Sequence, residues 1–469
     1  MSLNTRPHRM SSRNLGGTPG RARLPGGVPG CARRYPEICR LACLGLLALL
    51  VGCRTPNTSM DPADGSGAYA TGHYRNLFAE NGHSRQEIRR KIEAAFQQFF
   101  HGAPETQAVY YSAGANSNGP LAYIADIKHN DVRTEGLSYG MMISVQLNKQ
   151  AEFDALWNWS KTYLYHDSAT HPSCGFFSWQ ARTNGAVLSE FVAPDGEEYY
   201  ATALYFAAHR WGNGKGIYDY HAEANRLLTN LRHRRPITGQ ISMVRGNSAT
   251  NFIVTAGPLF DEPYKMVLFT PSSERPRFTD PSYHLPAFYE LWARWGPPED
   301  RPFWVQAAAA SRDFFQRSAH PVTALTPDYA QFDGAPATSP WRRSAAHFSF
   351  DAFRTAGNWS VDWSWWAKDV RERELSDKLQ AFFEAKGMAD YGCQFTLEGQ
   401  QLDAGHSNGL LAGNAVASRA ARHPRSRQFV VALWNTPIPD GLGRYYDGLL
   451  YLMALLHCGG EFRIWNPGQ

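Results

Sequence analysis

The sequence predicts an all-α fold, a toroid of helical hairpins with few short strands. Three observations carry that expectation. From about residue 75 onward, apolar residues recur at three- and four-residue spacing, the pattern of helices with one buried face. About a dozen such segments follow one another with no break in composition, which points to a single domain over 75–469. No unit of roughly 30–50 residues repeats, which disfavours a solenoid of stacked helix pairs.

The elements follow in order. Residues 1–52 read as a targeting leader: eight Arg and one Glu come first, then an apolar run from Leu41 to Gly52 that is too short to span a bilayer. Leu50-Val51-Gly52-Cys53 resembles a bacterial lipobox, so Cys53 is expected to carry lipid and to tie the protein to the cell envelope, in the periplasm or at the outer membrane. Residues 53–74 are polar and contain Gly and Pro, the composition of a flexible tether. Helical spacing then marks 85–101, 136–150, 151–165, 196–211, 219–231, 282–295, 301–318, 349–357, 375–386, 408–420, 426–434 and 442–458. Strand-like runs are confined to 107–112, 176–181, 241–244 and 266–269.

Charge and cysteine content narrow the function. The +7 leader accounts for more than the total of +5, so the body carries −2, a poor match for a nucleic-acid groove or a polybasic membrane surface. Cys174, Cys393 and Cys458 remain in the body, widely spaced and without a zinc pattern, and buried free thiols are expected. Phosphate-loop, HExxH and dinucleotide motifs are missing from the sequence. The high aromatic share of 13% fits cores and sugar-stacking surfaces alike.

Acids at loop–helix junctions are the candidate chemistry. Glu135, in Asp131-Val132-Arg133-Thr134-Glu135-Gly136, opens an apolar helix and could simply favour its dipole. Beside aromatics and away from water it could instead hold a proton. Asp195 and Glu198 have the spacing of a capping box. Asp280 suits an N-cap, with Tyr283 three residues on. Asp351 lies between Phe350 and Phe353, with Arg354 as a possible ion-pair partner, and Asp362 among tryptophans is its rival. Trp179 could stack on sugar, alone or with Trp157 and Trp159.

The stretches DVRTEGLSYGMM, WNWSKTY, PDGEEYYATALYFAAHRWG, DPSYHLPAFYELW, WNTP and RYYDGLLYLMALL resemble glycoside hydrolase family 8, in particular its reducing-end xylose-releasing exo-oligoxylanases. The resemblance runs in family order over almost the whole body. It implies an (α/α)6 barrel, an inverting hydrolase of β-1,4-linked xylo-oligosaccharides and no cofactor or catalytic metal; separately, a monomer is expected. It further implies Glu135 as general acid, Asp351 as general base and Asp195 as the residue that holds the sugar at the cleavage point. Arg133, Trp179, Tyr283 and Tyr446 would line that point. His406 would read the reducing end. The exo-acting relatives carry Leu-His-Pro there, whereas this chain has Gly405-His406-Ser407 and lacks the stiffening proline. An endo-acting β-1,4-xylanase or related glycanase is the nearest alternative. A lipid-anchored, non-catalytic glycan-binding protein is the alternative of another class.

Overall fold

The computed structural model describes residues 66–272, 277–388 and 391–468. The leader, the lipobox with Cys53 and the first part of the expected tether lie outside the described residues.

The helices are α1 (Ala68–Thr71), α2 (Leu77–Glu80), α3 (Arg85–His101), α4 (Thr134–Gln146), α5 (Gln150–Tyr163), α6 (Pro194–Trp211) and α7 (Tyr220–His233). They continue with α8 (Pro286–Trp295), α9 (Arg301–Ser318), α10 (Thr355–Trp366), α11 (Arg371–Lys386), α12 (Asn408–Ala417), α13 (Ser426–Asn435) and α14 (Tyr446–Cys458). Helices α4, α6, α8, α10, α12 and α14 each touch the next, and α14 closes back on α4. Helices α3, α5, α7, α9, α11 and α13 alternate with them along the chain and pack outside. That is the (α/α)6 barrel.

The inner and outer helices differ in sequence as their positions require. Outer α3 is amphipathic, burying Ile88, Ile92, Phe96 and Phe99 against the ring. A capping box between Ser84 and Glu87 starts it. Inner α4 is buried from Gly136 to Gln146 on every side, so its apolar residues show no stripe. Trp157, Trp159, Trp292, Trp304, Trp359, Trp365 and Trp366 are fully buried between layers. Trp157 and Trp159 are therefore core residues and offer no sugar platform.

Strand structure is more extensive than the sequence suggests. Seven antiparallel strands form one sheet in chain order: β1 (Tyr110–Asn116), β2 (Gly119–Asp126), β3 (Asp131–Arg133), β4 (Gln180–Ala181), β5 (Val187–Ser189), β6 (Ile237–Arg245) and β7 (Ser248–Ala256). Strands β6 and β7 pair from Ile237↔Ala256 to Arg245↔Ser248 across the two-residue turn Gly246-Asn247. Gly246 takes the positive φ of 59° that such a turn favours. Strand β3 leads directly into α4, and so fixes where Glu135 begins its helix.

The tether expectation needs correction at its far end. Gly67 and Ala68 are buried, Tyr69 stacks on Trp366 at 4.5 Å, and the Tyr74 hydroxyl accepts the Ile464 N–H at 3.0 Å, while residues 70–73 between them are exposed. These apolar contacts offset the cost of ordering a polar segment. The body's cysteines, Cys174, Cys393 and Cys458, are free thiols, the last two buried.

Candidate active site

All six inner helices run in the same sense, so their N-terminal ends share one mouth of the barrel. Each contributes residues there. Arg133 and Glu135 come with α4, Asp195 with α6, Asp280 and Tyr283 precede α8, and Asp351 and Arg354 precede α10. His406 precedes α12, and Tyr445 and Tyr446 open α14.

Glu135 and Asp351, 216 positions apart in the chain, meet across the Arg354 guanidinium. Arg354 Nη1 donates to Glu135 Oε2 at 3.0 Å, to Asp195 Oδ2 at 2.8 Å and to the Tyr139 hydroxyl at 3.1 Å. Its Nη2 donates to Ser282 Oγ at 2.9 Å and lies 3.6 Å from Asp351 Oδ1. The Tyr445 hydroxyl donates to Glu135 Oε1 at 3.2 Å. A cation thus separates the two acids, and both line the same two cavities.

One cavity, of about 270 Å³, is lined by Arg133, Glu135, Trp179, Asp195, Tyr283, Trp341 and Asp351 among others. The second, of about 560 Å³, continues past the acids and is lined by Lys128, His129, Glu135, Asp351, His406, Leu442 and Tyr446 among others. The cleft therefore extends to both sides of the acid pair.

The environments of the acids differ. Burial pushes the Glu135 carboxyl up to about 7, with the charge of Asp195 adding to the rise and Arg354 opposing it. Asp351 is a quarter exposed and takes a short hydrogen bond from Arg342 Nη1. Asp280 is fully buried and is raised well above the usual carboxylate range, first by burial and then by the charge of Asp351. Its Oδ1 accepts the Ser282 N–H at 2.7 Å, so it does cap the short 3₁₀ turn Pro281–Tyr283.

The other expected residues are placed as follows. Arg133 is held by Asp131 and Asp126, each at 3.0 Å, and lies over the Trp179 ring at 5.6 Å. Tyr283 stacks on Phe269 and faces the smaller cavity. Tyr446 donates to the Phe350 carbonyl, bracing the turn that carries Asp351. Asp195 makes no capping box with Glu198: Ala193 is the N-cap, and Glu198 instead accepts from the Tyr289 hydroxyl at 2.6 Å inside the core. The carboxylate of Asp195 turns to the cleft because Arg354 draws it there. Asp362 lies away from the site, in a buried ion pair with Arg312 at 2.6 Å.

Sequence reasoning missed Asp328, Trp341, Arg342 and the reach of Arg354. Tyr445, beside Tyr446 in RYYDGLL, could have been found from that motif. Asp328 and Arg342 sit in irregular segments with no local signal.

The model of the glycosyl hydrolases family 8 matches residues 108–460. The chain belongs to family 8. It is a glycoside hydrolase, which removes the reading as a non-catalytic binding protein. Relatives include the reducing-end xylose-releasing exo-oligoxylanase Rex8A of Paenibacillus barcinonensis, 40% identical over 86% of this chain and 99% of that one. A reducing end xylose-releasing exo-oligoxylanase of Halalkalibacterium halodurans is 39% identical over 86% of this chain and 97% of the relative. Among solved structures, a family 8 xylobiose complex from Teredinibacter turnerae superposes with a TM-score of 0.82 at 53% identity, covering 86% of this chain and all of that chain.

Proposed function

We propose that this family 8 enzyme hydrolyses β-1,4-linked xylo-oligosaccharides with inversion at the anomeric carbon and releases xylose from the reducing end. The observation that carries the reading is Arg354 set between Glu135 and Asp351 at the midpoint of a cleft open to both sides. Inversion needs two carboxyl groups held apart, about 6.5–9.5 Å, so that water fits between base and sugar. An intervening guanidinium keeps the two acids from direct contact.

In this reading Glu135, raised to about 7, is about half protonated near neutrality and in that form gives its proton to the departing glycosidic oxygen. Asp351 takes a proton from the attacking water. Asp195, fixed by Arg354, holds the sugar at the cleavage point while Arg133, Trp179 and Tyr283 line that place. His406 and Tyr446 face the larger cavity, where the reducing end is read. Cys53 carries lipid and holds the enzyme to the cell envelope.

One observation favours a second reading, endo-action on xylan. The segment Gly405-His406-Ser407 has neither the leucine nor the proline of the exo-acting pattern, and His406 and Ser407 border a cavity of about 560 Å³. A Teredinibacter turnerae family 8 xylanase solved with xylohexaose is 53% identical, against about 40% for the exo-acting relatives. Incubation with xylotriose, reduced xylotriose and polymeric xylan separates the two. Exo-action releases xylose from xylotriose, spares the reduced trimer and barely thins the polymer. Early loss of xylan viscosity rejects it, and freshly released α-anomeric product in proton NMR tests inversion. Radiolabelled palmitate uptake, abolished by Cys53→Ala, tests the anchor.

A further inference from the structure

We propose that Arg342 is the positioning residue for Asp351, holding the base carboxylate in place from an anchor at Asp328. The inference rests on the reading of Asp351 as general base. It adds a residue that neither the motifs nor the acid pair require.

The geometry runs through a fork. Arg342 Nη1 donates to Asp351 Oδ2, while Nη2 donates to Asp328 Oδ2 and to Ser349 Oγ, the last at 3.1 Å. Asp328 is fully buried and also accepts the backbone N–H groups of Ser349 at 3.2 Å and Ala352 at 3.0 Å. These two residues flank the start of the 3₁₀ turn Asp351–Arg354. Asp328 therefore fixes both the cation and the backbone that bears the base. Arg342 is itself pinned: its N–H donates to the Ser339 carbonyl at 3.2 Å and to Ser339 Oγ at 3.0 Å.

The surroundings show why a dedicated cation is needed. Asp351 faces the carboxyl groups of Asp280, Asp328 and Glu135, and the hydroxyls of Tyr283, Tyr329 and Tyr446. Two guanidinium groups oppose them. Arg354 is shared with Glu135 and Asp195, donates through Nε only to the Asp351 backbone carbonyl at 3.4 Å, and keeps its Nη2 3.6 Å from the Asp351 carboxylate. Of the two, Arg342 is the one that hydrogen-bonds the Asp351 carboxylate. A cation in direct contact offsets the like charge gathered around the Asp351 carboxylate. The planar fork also fixes its direction, which an ammonium cannot do.

The test is a kcat/KM profile against pH on xylotriose for the wild type, R342M, R342K, D328N and D351N. R342M is expected to lower kcat at least tenfold, with KM within about twofold, and to move the acid limb up by about one pH unit or more. R342K should return the limb towards its wild-type position but leave kcat low. D328N should lower kcat without moving the limb upward. An R342M limb that coincides with the wild type, or R342K at wild-type kcat, overturns the proposal. If R342M fails to fold, R342K and D328N decide, and D328N at full kcat overturns it. D351N at wild-type activity defeats the base assignment itself. D351N inactive with the R342M limb unmoved defeats this inference alone.

Discussion

A carboxyl raised to about 7 is half protonated near neutrality, and Glu135 is in that position although Arg354 lies 3.0 Å away. Burial outweighs the cation because the guanidinium is divided among Glu135, Asp195, Tyr139 and Ser282. If Glu135 is the general acid, activity should fall on the alkaline side with a midpoint near pH 7, since the acid must enter the reaction protonated. Glu135→Gln should lower kcat by roughly 10²–10⁴-fold with little change in KM, read in steady-state xylotriose kinetics. Asp195 adds a like charge that raises Glu135, so Asp195→Asn should move the alkaline limb to lower pH in the residual activity. A limb that stays or rises would show that another group sets it. The junction acids Glu135, Asp195 and Asp351 could be picked out in the sequence because each opens or precedes an apolar helix. Their sharing of one arginine could not, since Arg354 meets them only once the ring has closed.

At the scale of elements, α4 begins where three constraints coincide. Strand β3 delivers Glu135, Tyr445 covers it, and Gly136 leaves room for that tyrosine. A Cβ at 136 would lie 2.5 Å from Tyr445 Cε2 and 2.8 Å from its hydroxyl oxygen. Gly136→Ala should therefore displace the hydroxyl that donates to Glu135, costing about 1–3 kcal/mol in urea unfolding and at least tenfold in kcat. Helix α6 stores a second buried acid. Glu197 accepts the Phe177 N–H at 2.8 Å, and burial pushes its carboxyl up to about 8 from an ordinary 4.5. The folded state thus holds the proton more tightly than the unfolded chain. The stability this lends is full below pH 4.5 and is lost as pH rises through about 8, at up to about 1.4 kcal/mol per pH unit. Melting temperature should fall across that window, and Glu197→Gln should flatten the fall, matching the wild type at pH 5 and exceeding it at pH 9. Helices α3 and α9 were legible to their end residues, because an outer helix keeps an apolar stripe. Helix α10, expected to stop at 357, runs to Trp366: Trp359, Trp365 and Trp366 are buried on different sides and erase the stripe. Strand β7 was not marked in the sequence although Phe252-Ile253-Val254-Thr255 favours a strand, and its full length, including the polar Ser248–Asn251, is set by pairing with β6.

At the scale of the whole molecule, the barrel could be inferred from helix number, while its closure and its single mouth could not. Closure is set by contacts between α14 and α4, more than three hundred residues apart, for which sequence spacing gives no sign. The common sense of the inner helices has a further consequence at their other ends. There Gln146 ends α4, Arg210 lies in the last turn of α6, and the chain's final segment lies across both. The Trp465 indole donates to Gln146 Oε1 at 2.9 Å, and the Arg210 guanidinium sits 3.7 Å from its ring centre. Trp465→Ala should lower the melting temperature by several degrees while kcat/KM on xylotriose stays within about twofold. The rim closed by Trp465 lies at the opposite ends of the helices from the acid pair, so a change there should register in melting temperature and not in turnover.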